Sequence, residues 1–191
     1  PPFIYLASAS PRRHELLKQI GVHHEVLRVP EADGGEDEPI FPGEAPADYV
    51  VRTAREKAQR ALSYLQASTH TIEIRPILAA DTCVILNGDH DVRLSLQILT
   101  GRGHGAHTPL GLLPPPHPLE RSSINKLRMR KLSDTEIEHY VRSGEGIGKA
   151  GGYAIQGLGA MLIERLEGSF TGVVGLPLSD TWELLKTLKA Q

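Results

Sequence analysis

From the N-terminus onward, apolar residues come in short bursts whose spacing switches between two and about 3.6 residues, the periods of a strand and a helix. Residues 3–7 form a β-rich run, and Ser8-Ala9-Ser10-Pro11 after it sets a Ser cap ahead of a proline at the first helical position. The predicted helix carries Leu16, Leu17 and Ile20 on one side and stops at Gly21, after which residues 24–29 alternate as a second strand. Residues 30–46, rich in Pro, Gly and acid, read as a long loop. From Pro46 the stripe Tyr49, Val50, Thr53, Ala54, Ala58, Ala61, Leu62 and Leu65 predicts the longest helix, with Arg52, Arg55 and Arg60 off the stripe. Ile77-Leu78-Ala79-Ala80 is a continuous apolar run typical of a buried strand; Asp81 stands at its end, and residues 83–86 continue in β character.

Beyond Asn87-Gly88 the pattern weakens, because Val92, Leu94, Leu96, Ile98 and Leu99 fit either period; a short helix is assigned there. Pro114-Pro115-Pro116-His117-Pro118 reads as an exposed connection, since consecutive prolines cannot donate ladder hydrogen bonds. Lys126-Leu127-Arg128-Met129-Arg130 alternates as a strand with a basic face. Ser133-Asp134-Thr135-Glu136 is a capping box that opens a helix through Tyr140 and Val141, ending at Ser143-Gly144. Glycines at 144, 146, 148, 151, 152, 157 and 159 surround Tyr153-Ala154-Ile155-Gln156, so the backbone there bends tightly or approaches a ligand closely. The apolar Val173-Val174-Gly175-Leu176 precedes an amphipathic helix that uses Trp182, Leu185 and Leu188. Strands interleaved with helices predict an α/β fold of two or three layers, in one domain over residues 1–191.

Composition narrows the function classes. The chain has 191 residues, 40% hydrophobic and 23% charged, enough to bury a core. Its formal net charge of -2 provides no global basic field, so a nucleic-acid partner is not expected and any phosphate binding must be local. A single cysteine, Cys83, excludes an internal disulfide framework and a multi-thiolate zinc site, and fits a reducing compartment; the cytoplasm is the expected location. The first apolar run meets Arg12 and Arg13 too soon to be a signal or membrane segment, so no membrane partner is expected. The nine histidines show no metal-ligand spacing, and neither GxxxxGK[ST] nor a GxGxxG after a strand is present.

Three places carry candidate chemistry. At Ser8-Ala9-Ser10-Pro11-Arg12-Arg13 a strand feeds a helix N-terminus, where backbone N–H groups, two hydroxyls and two guanidinium groups suit a phosphate; alone, the motif is also compatible with a cap and two solvated arginines. Lys57, near the small-residue stripe of Ala54, Ala58 and Ala61, is placed to reach a cleft or to serve as ordinary surface charge. Asp81-Thr82 is the strongest catalytic candidate, because the carboxyl ends of strands in α/β sheets open onto the ligand crevice; a carboxylate there binds a metal or takes a proton from water. The acidic run Asp33, Glu36, Asp37 and Glu38 offers further hard oxygen ligands for Mg²⁺, with Glu36 and Asp37 the candidates.

The motifs Leu6-Ala7-Ser8-Ala9-Ser10-Pro11-Arg12-Arg13, Ala54-Arg55-Glu56-Lys57-Ala58, Ala80-Asp81-Thr82, Gly101-Arg102-Gly103-His104, Lys149-Ala150-Gly151-Gly152-Tyr153-Ala154-Ile155-Gln156-Gly157 and Val173-Val174-Gly175-Leu176-Pro177-Leu178 stand in the order seen in Maf proteins. Each is weak alone, but together they span nearly the whole chain. The resemblance implies a Maf/ITPase-like fold, an elongated mixed β-sheet flanked by helices with two lobes around a deep cleft. It also implies a nucleoside triphosphate pyrophosphatase with a divalent metal cofactor (Mg²⁺ or Mn²⁺), frequently a homodimer. By the same resemblance Asp81 is the proton acceptor, Arg12, Thr82 and Gln156 match positions that govern base selection, and Ser8, Arg13 and Lys57 match the phosphate cleft. The Lys149 to Gln156 form resembles the subfamily acting on dTTP and UTP, and a Gln amide can pair with a pyrimidine through both donor and acceptor. One departure stands out: after Asn87-Gly88 the family's Leu-Gly-Lys-Pro element is replaced by Asp89-His90-Asp91-Val92-Arg93-Leu94, and a family Gly becomes Pro109. The missing lysine removes a charged contact and favours the alternative, a non-catalytic nucleotide-binding regulator of cell division. An RNA-binding module using Lys126, Arg128 and Arg130 is a third class, weakened by the lack of interleaved aromatics.

Overall fold

The computed structural model describes residues 3–30, 39–68, 75–84, 92–113 and 118–188. In chain order it contains β1 (Ile4–Leu6), α1 (Pro11–Gln19), β2 (His24–Val26), α2 (Pro46–Ala67), β3 (Ile77–Ala80), β4 (Cys83–Val84) and α3 (Val92–Leu99). There follow β5 (Gly103–Leu113), β6 (Leu119–Met129), α4 (Asp134–Ser143), β7 (Ile163–Glu167), α5 (Phe170–Val174) and α6 (Leu178–Thr187), with single 3-10 turns at Ala150–Gly152 and Leu158–Leu162. Every described segment predicted as a helix is one. The assignment of residues 92–99, open on periodicity, is settled because Leu96 and Leu99 reach the core while Leu94 stays exposed.

The strands form one mixed sheet in the order β2-β1-β3-β5-β6-β7, with β4 also beside β5. β1 runs parallel to both β2 and β3, and the remaining pairs are antiparallel. The two-residue alternation of a strand sorts the core into two layers. Ile4, Leu6, Leu78 and Ala80 point toward Leu16 and Leu17 of α1 and Leu184 and Leu185 of α6, whereas Tyr5, Ala7, Ile77 and Ala79 meet Ala58, Ala61 and Leu65 of α2. The alanines of α2 let that helix lie close on the sheet. The result is a three-layer α/β arrangement.

Three strands differ from the sequence reading. β5 had no predicted element, and the strand expected at residues 126–130 is the tail of an eleven-residue β6. Three glycines, two histidines and a proline make β5 a poor strand by local propensity. It forms because β3 and β4 pair with one edge and β6 with the other, so tertiary pairing overrides propensity. Ladder pairing in β2 extends only from His24 to Val26, short of residue 29. Ser10 occupies the N-cap of α1 without a side-chain cap bond; its backbone N–H donates instead to Ser8 Oγ at 3.2 Å.

Candidate active site

Parallel pairing fixes the site. Because β2, β1 and β3 point the same way, the segments leaving their carboxyl ends lie along one edge of the sheet: Arg28 after β2, Ser8 to Arg13 after β1, and Asp81-Thr82 after β3. Pro109 marks where β3 ends. The Asp81 N–H donates to the Pro109 carbonyl at 3.3 Å, but proline has no N–H to return the second bond of an antiparallel pair. The ladder breaks there, and Asp81 stands at the break.

The Asp81 carboxylate is held on both oxygens. Oδ2 accepts from Thr53 Oγ1 at 2.7 Å and lies 3.2 Å from Lys57 Nζ, while Oδ1 accepts the Thr82 N–H at 2.9 Å. Thr53 and Lys57 are four residues apart on α2 and so share a face; that face looks onto Asp81. Arg13 is buried, at 9% exposure, and its guanidinium donates to the Gly175 carbonyl (2.8 Å), Ser8 Oγ (3.0 Å) and Thr82 Oγ1 (3.3 Å). Thr108, whose hydroxyl donates to the Gly172 carbonyl at 2.8 Å, lies 3.2 Å from Thr82 Oγ1. One side chain therefore ties the turn after β1, the end of β3 and the loop after α5.

Two cavities meet at Arg13. A cavity of about 480 Å³ is lined by Ser8, Arg13, Arg28, Lys57 and Arg60, together with small and apolar residues; its described lining contains no carboxylate. A second, of about 230 Å³, brings Arg12, Arg13, Asp81, Thr82 and Gln156 together with Lys149 and Tyr153. Burial alone pushes the Arg12 guanidinium below its ordinary pKa, and among the described residues Arg12 makes no hydrogen bond or ion pair. The sequence-predicted positions thus divide: Ser8 and Lys57 line the cationic cavity, Arg12, Asp81, Thr82 and Gln156 the other, and Arg13 both. Arg28, Arg60, Lys149, Tyr153 and Thr53 were not singled out as site residues. The spacing of Thr53, Lys57 and Arg60, at i, i+4 and i+7 on α2, was the available signal. A further groove of about 400 Å³, between α2 and β5, does not have Asp81 in its lining and is not part of the site.

Glu36 and Asp37 lie outside the described residues. Among the described residues no group of three or more His, Cys, Asp or Glu side chains is placed to hold a metal, and Asp81 is the single carboxylate lining the two cavities. The residues described do not by themselves form a cation site. The basic strand face is ion-paired: Arg128 with Glu164 and Arg130 with Glu136, which fits a solvated face better than a nucleic-acid surface.

Tyr153, at the back of the smaller cavity, is 2.7 Å from the His104 ring nitrogen. Burial pushes the His104 imidazole down to about 4, so it is neutral in the folded protein near neutrality. The unfolded chain would take up that proton near pH 6.5, so the contribution of His104 to stability is full above that pH and is lost as pH falls toward about 4. His107, also lowered by burial, acts in the same direction. We expect the melting temperature of the wild type to drop more between pH 7 and pH 5 than that of His104→Gln; parallel pH profiles would remove His104 as the cause.

Residues 3–188 match the family model described as Maf-like protein. The chain is 49% identical over 195 residues to a dTTP/UTP pyrophosphatase of Bordetella parapertussis (strain 12822 / ATCC BAA-587 / NCTC 13253), covering 98% of this chain and 93% of the relative. It is 42% identical over 195 residues to a dTTP/UTP pyrophosphatase of Escherichia coli O6:K15:H31 (strain 536 / UPEC), with the same coverage of 98% and 93%. The solved structure of a HAM1 protein from Coxiella burnetii overlaps it at a TM-score of 0.39 and 15% identity, over 68% of this chain and 73% of that one. This strand-end site is thus carried by a member of the Maf-like protein family.

Proposed function

We propose that the chain is a nucleoside triphosphate pyrophosphatase that cuts dTTP and UTP to the monophosphate and pyrophosphate. The observation that carries this reading is the position of Asp81: it lines the cavity of Arg12 and Gln156 while its carboxylate sits 3.2 Å from Lys57 of the cationic cavity. A nucleotide laid across the two would put its base against Gln156, its outer phosphates among Arg13, Arg28, Lys57 and Arg60, and its α-phosphate beside Asp81. Water attacks the α-phosphorus, Asp81 accepts the proton, and the bond from that phosphorus to the bridging oxygen breaks, leaving pyrophosphate with the electron pair. Oδ1 accepts one described hydrogen bond and keeps a lone pair for the water. The cations offset charge that builds up on the leaving group.

A divalent cation, Mg²⁺ or Mn²⁺, belongs to the proposal as cofactor; when bound it would neutralise phosphate charge, and Glu36 and Asp37 are its proposed additional ligands. A homodimer and a cytoplasmic location belong to it too; no described helix is long and apolar enough to cross a membrane. The test is pyrophosphate release from a panel of purine and pyrimidine triphosphates, with and without Mg²⁺. Selective release from dTTP and UTP is expected. Equal rates on purines would sink the role of Gln156, and tight nucleotide binding without any release would favour the non-catalytic regulator of cell division.

A further inference from the structure

The segment that supplies Lys149, Tyr153 and Gln156 to the smaller cavity is closed at its neck by one carboxylate. Glu145, just beyond the left-handed Gly144 that ends α4, reaches across to residues 154–159. Its Oε1 accepts the Leu158 N–H at 2.8 Å, and its Oε2 accepts the Gly159 N–H at 2.9 Å and the Tyr140 hydroxyl at 2.7 Å. The fully buried Tyr140 completes the clasp, since its oxygen accepts the Ala154 N–H at 3.0 Å. Three backbone amides on either side of Gln156 are therefore fixed, directly or through one phenol, by a single side chain. Gln156 itself makes no hydrogen bond among the described residues, so its placement comes from this backbone.

The glycines follow from the same clasp. A methyl on Gly157 would overlap Glu145 Oε1, and one on Gly159 would stand 2.5 Å from the Ala154 carbonyl oxygen. These two positions are small because the carboxylate and the loop's own backbone occupy the space, not because a ligand does. Burial works against the charge on Glu145, but the hydrogen bonds from Tyr140, Gly159 and Leu158 outweigh it and hold the carboxyl below its usual range, ionised at neutral pH. Charge-assisted bonds of this kind are the strong ones.

We propose that Glu145 is a positioning residue for base selection: by clasping residues 154–159 it sets where the Gln156 amide meets the nucleobase, while taking no part in the cleavage. This rests on the pyrophosphatase reading above. Glu145→Gln keeps the size but must turn its NH₂ toward at least one N–H or O–H donor, and Tyr140→Phe removes only the hydroxyl.

The experiment is steady-state kinetics of wild type, Glu145→Gln, Glu145→Ala and Tyr140→Phe on dTTP, UTP, GTP and ATP, with circular dichroism to confirm folding. For both Glu145 variants we expect the pyrimidine-to-purine ratio of kcat/KM to shrink about tenfold or more, chiefly through a higher KM for dTTP and UTP, as loss of a charge-assisted contact implies. Tyr140→Phe should move the ratio the same way by less, which keeps the test open if a Glu145 variant fails to fold. Unchanged ratios in folded variants of an active enzyme, with a lower melting temperature alone, would make the clasp merely structural and overturn the proposal. A wild type inactive on every nucleotide would overturn the pyrophosphatase reading, and this inference with it.

Discussion

Asp81→Asn should lose about 10²–10⁴-fold in kcat, the range that a positioned general base supplies, while remaining folded and able to bind nucleotide. The substitution is nearly isosteric, yet its surroundings make it less benign than at an open site. Both oxygens of Asp81 face donors: Thr53 and Lys57 at one, the Thr82 N–H at the other. Whichever way the amide is turned, its NH₂ confronts a donor, and a mismatch of this kind costs about 1–3 kcal/mol. A modestly lower melting temperature should accompany the loss of turnover. Single-turnover kinetics with dTTP separate the two effects, because a folded, nucleotide-binding variant that is slow at the chemical step identifies the base. Near-normal turnover would move the role away from Asp81.

Arg12 and Lys57 should fail in different ways. Each is expected to contribute roughly 1.5–3 kcal/mol through charge-assisted contacts, so losing either should cost about one to two decades in kcat/KM. Arg12 shares its cavity with Gln156 and Thr82, whereas Lys57 sits with Ser8, Arg28 and Arg60 in the cationic one. Arg12→Ala should therefore change the pyrimidine-to-purine ratio as well as the rate. Lys57→Ala should slow every nucleotide by a similar factor, and because it also strips a cation from Asp81, much of its loss should fall on kcat. If Lys57→Ala alters base preference and Arg12→Ala does not, the assignment of the two cavities is reversed.

How much of this was written in the sequence depends on whether the information was local. The helix starts were legible: Pro11, Pro46 and the Ser133 to Glu136 capping box all mark real N-termini, and Gly144 closes α4 in the left-handed region where the pattern ended. The run Ile77 to Ala80 gave β3 and the place of the half-buried Asp81 at its end. The parallel order β2-β1-β3, which sets Arg28, Ser8 and Asp81 along one edge of the sheet, was not legible, since pairing is non-local. The same limit hid β5, whose glycines, histidines and proline form a strand only between two partners. The glycine-rich stretch around Gln156 was visible as tight backbone, but a ligand and a neighbouring carboxylate impose the same demand for a missing Cβ. Only the placement of Glu145 distinguishes them.

The Arg13 bond to the Gly175 carbonyl joins positions 162 residues apart, which has a consequence for the order in which the protein matures. Chains emerge from the ribosome N-terminus first, at about 5–20 residues per second. Arg13 is thus made well before Gly175, and the carbonyl that its Nε meets is absent until α5 and the turn after it have been made. Until then its guanidinium has Ser8 and Thr82 within its reach but lacks the Gly175 carbonyl that fixes it across the fold. A nascent chain arrested before residue 175 would already hold Asp81, Thr53 and Lys57, and would still be unable to assemble the junction at which they work.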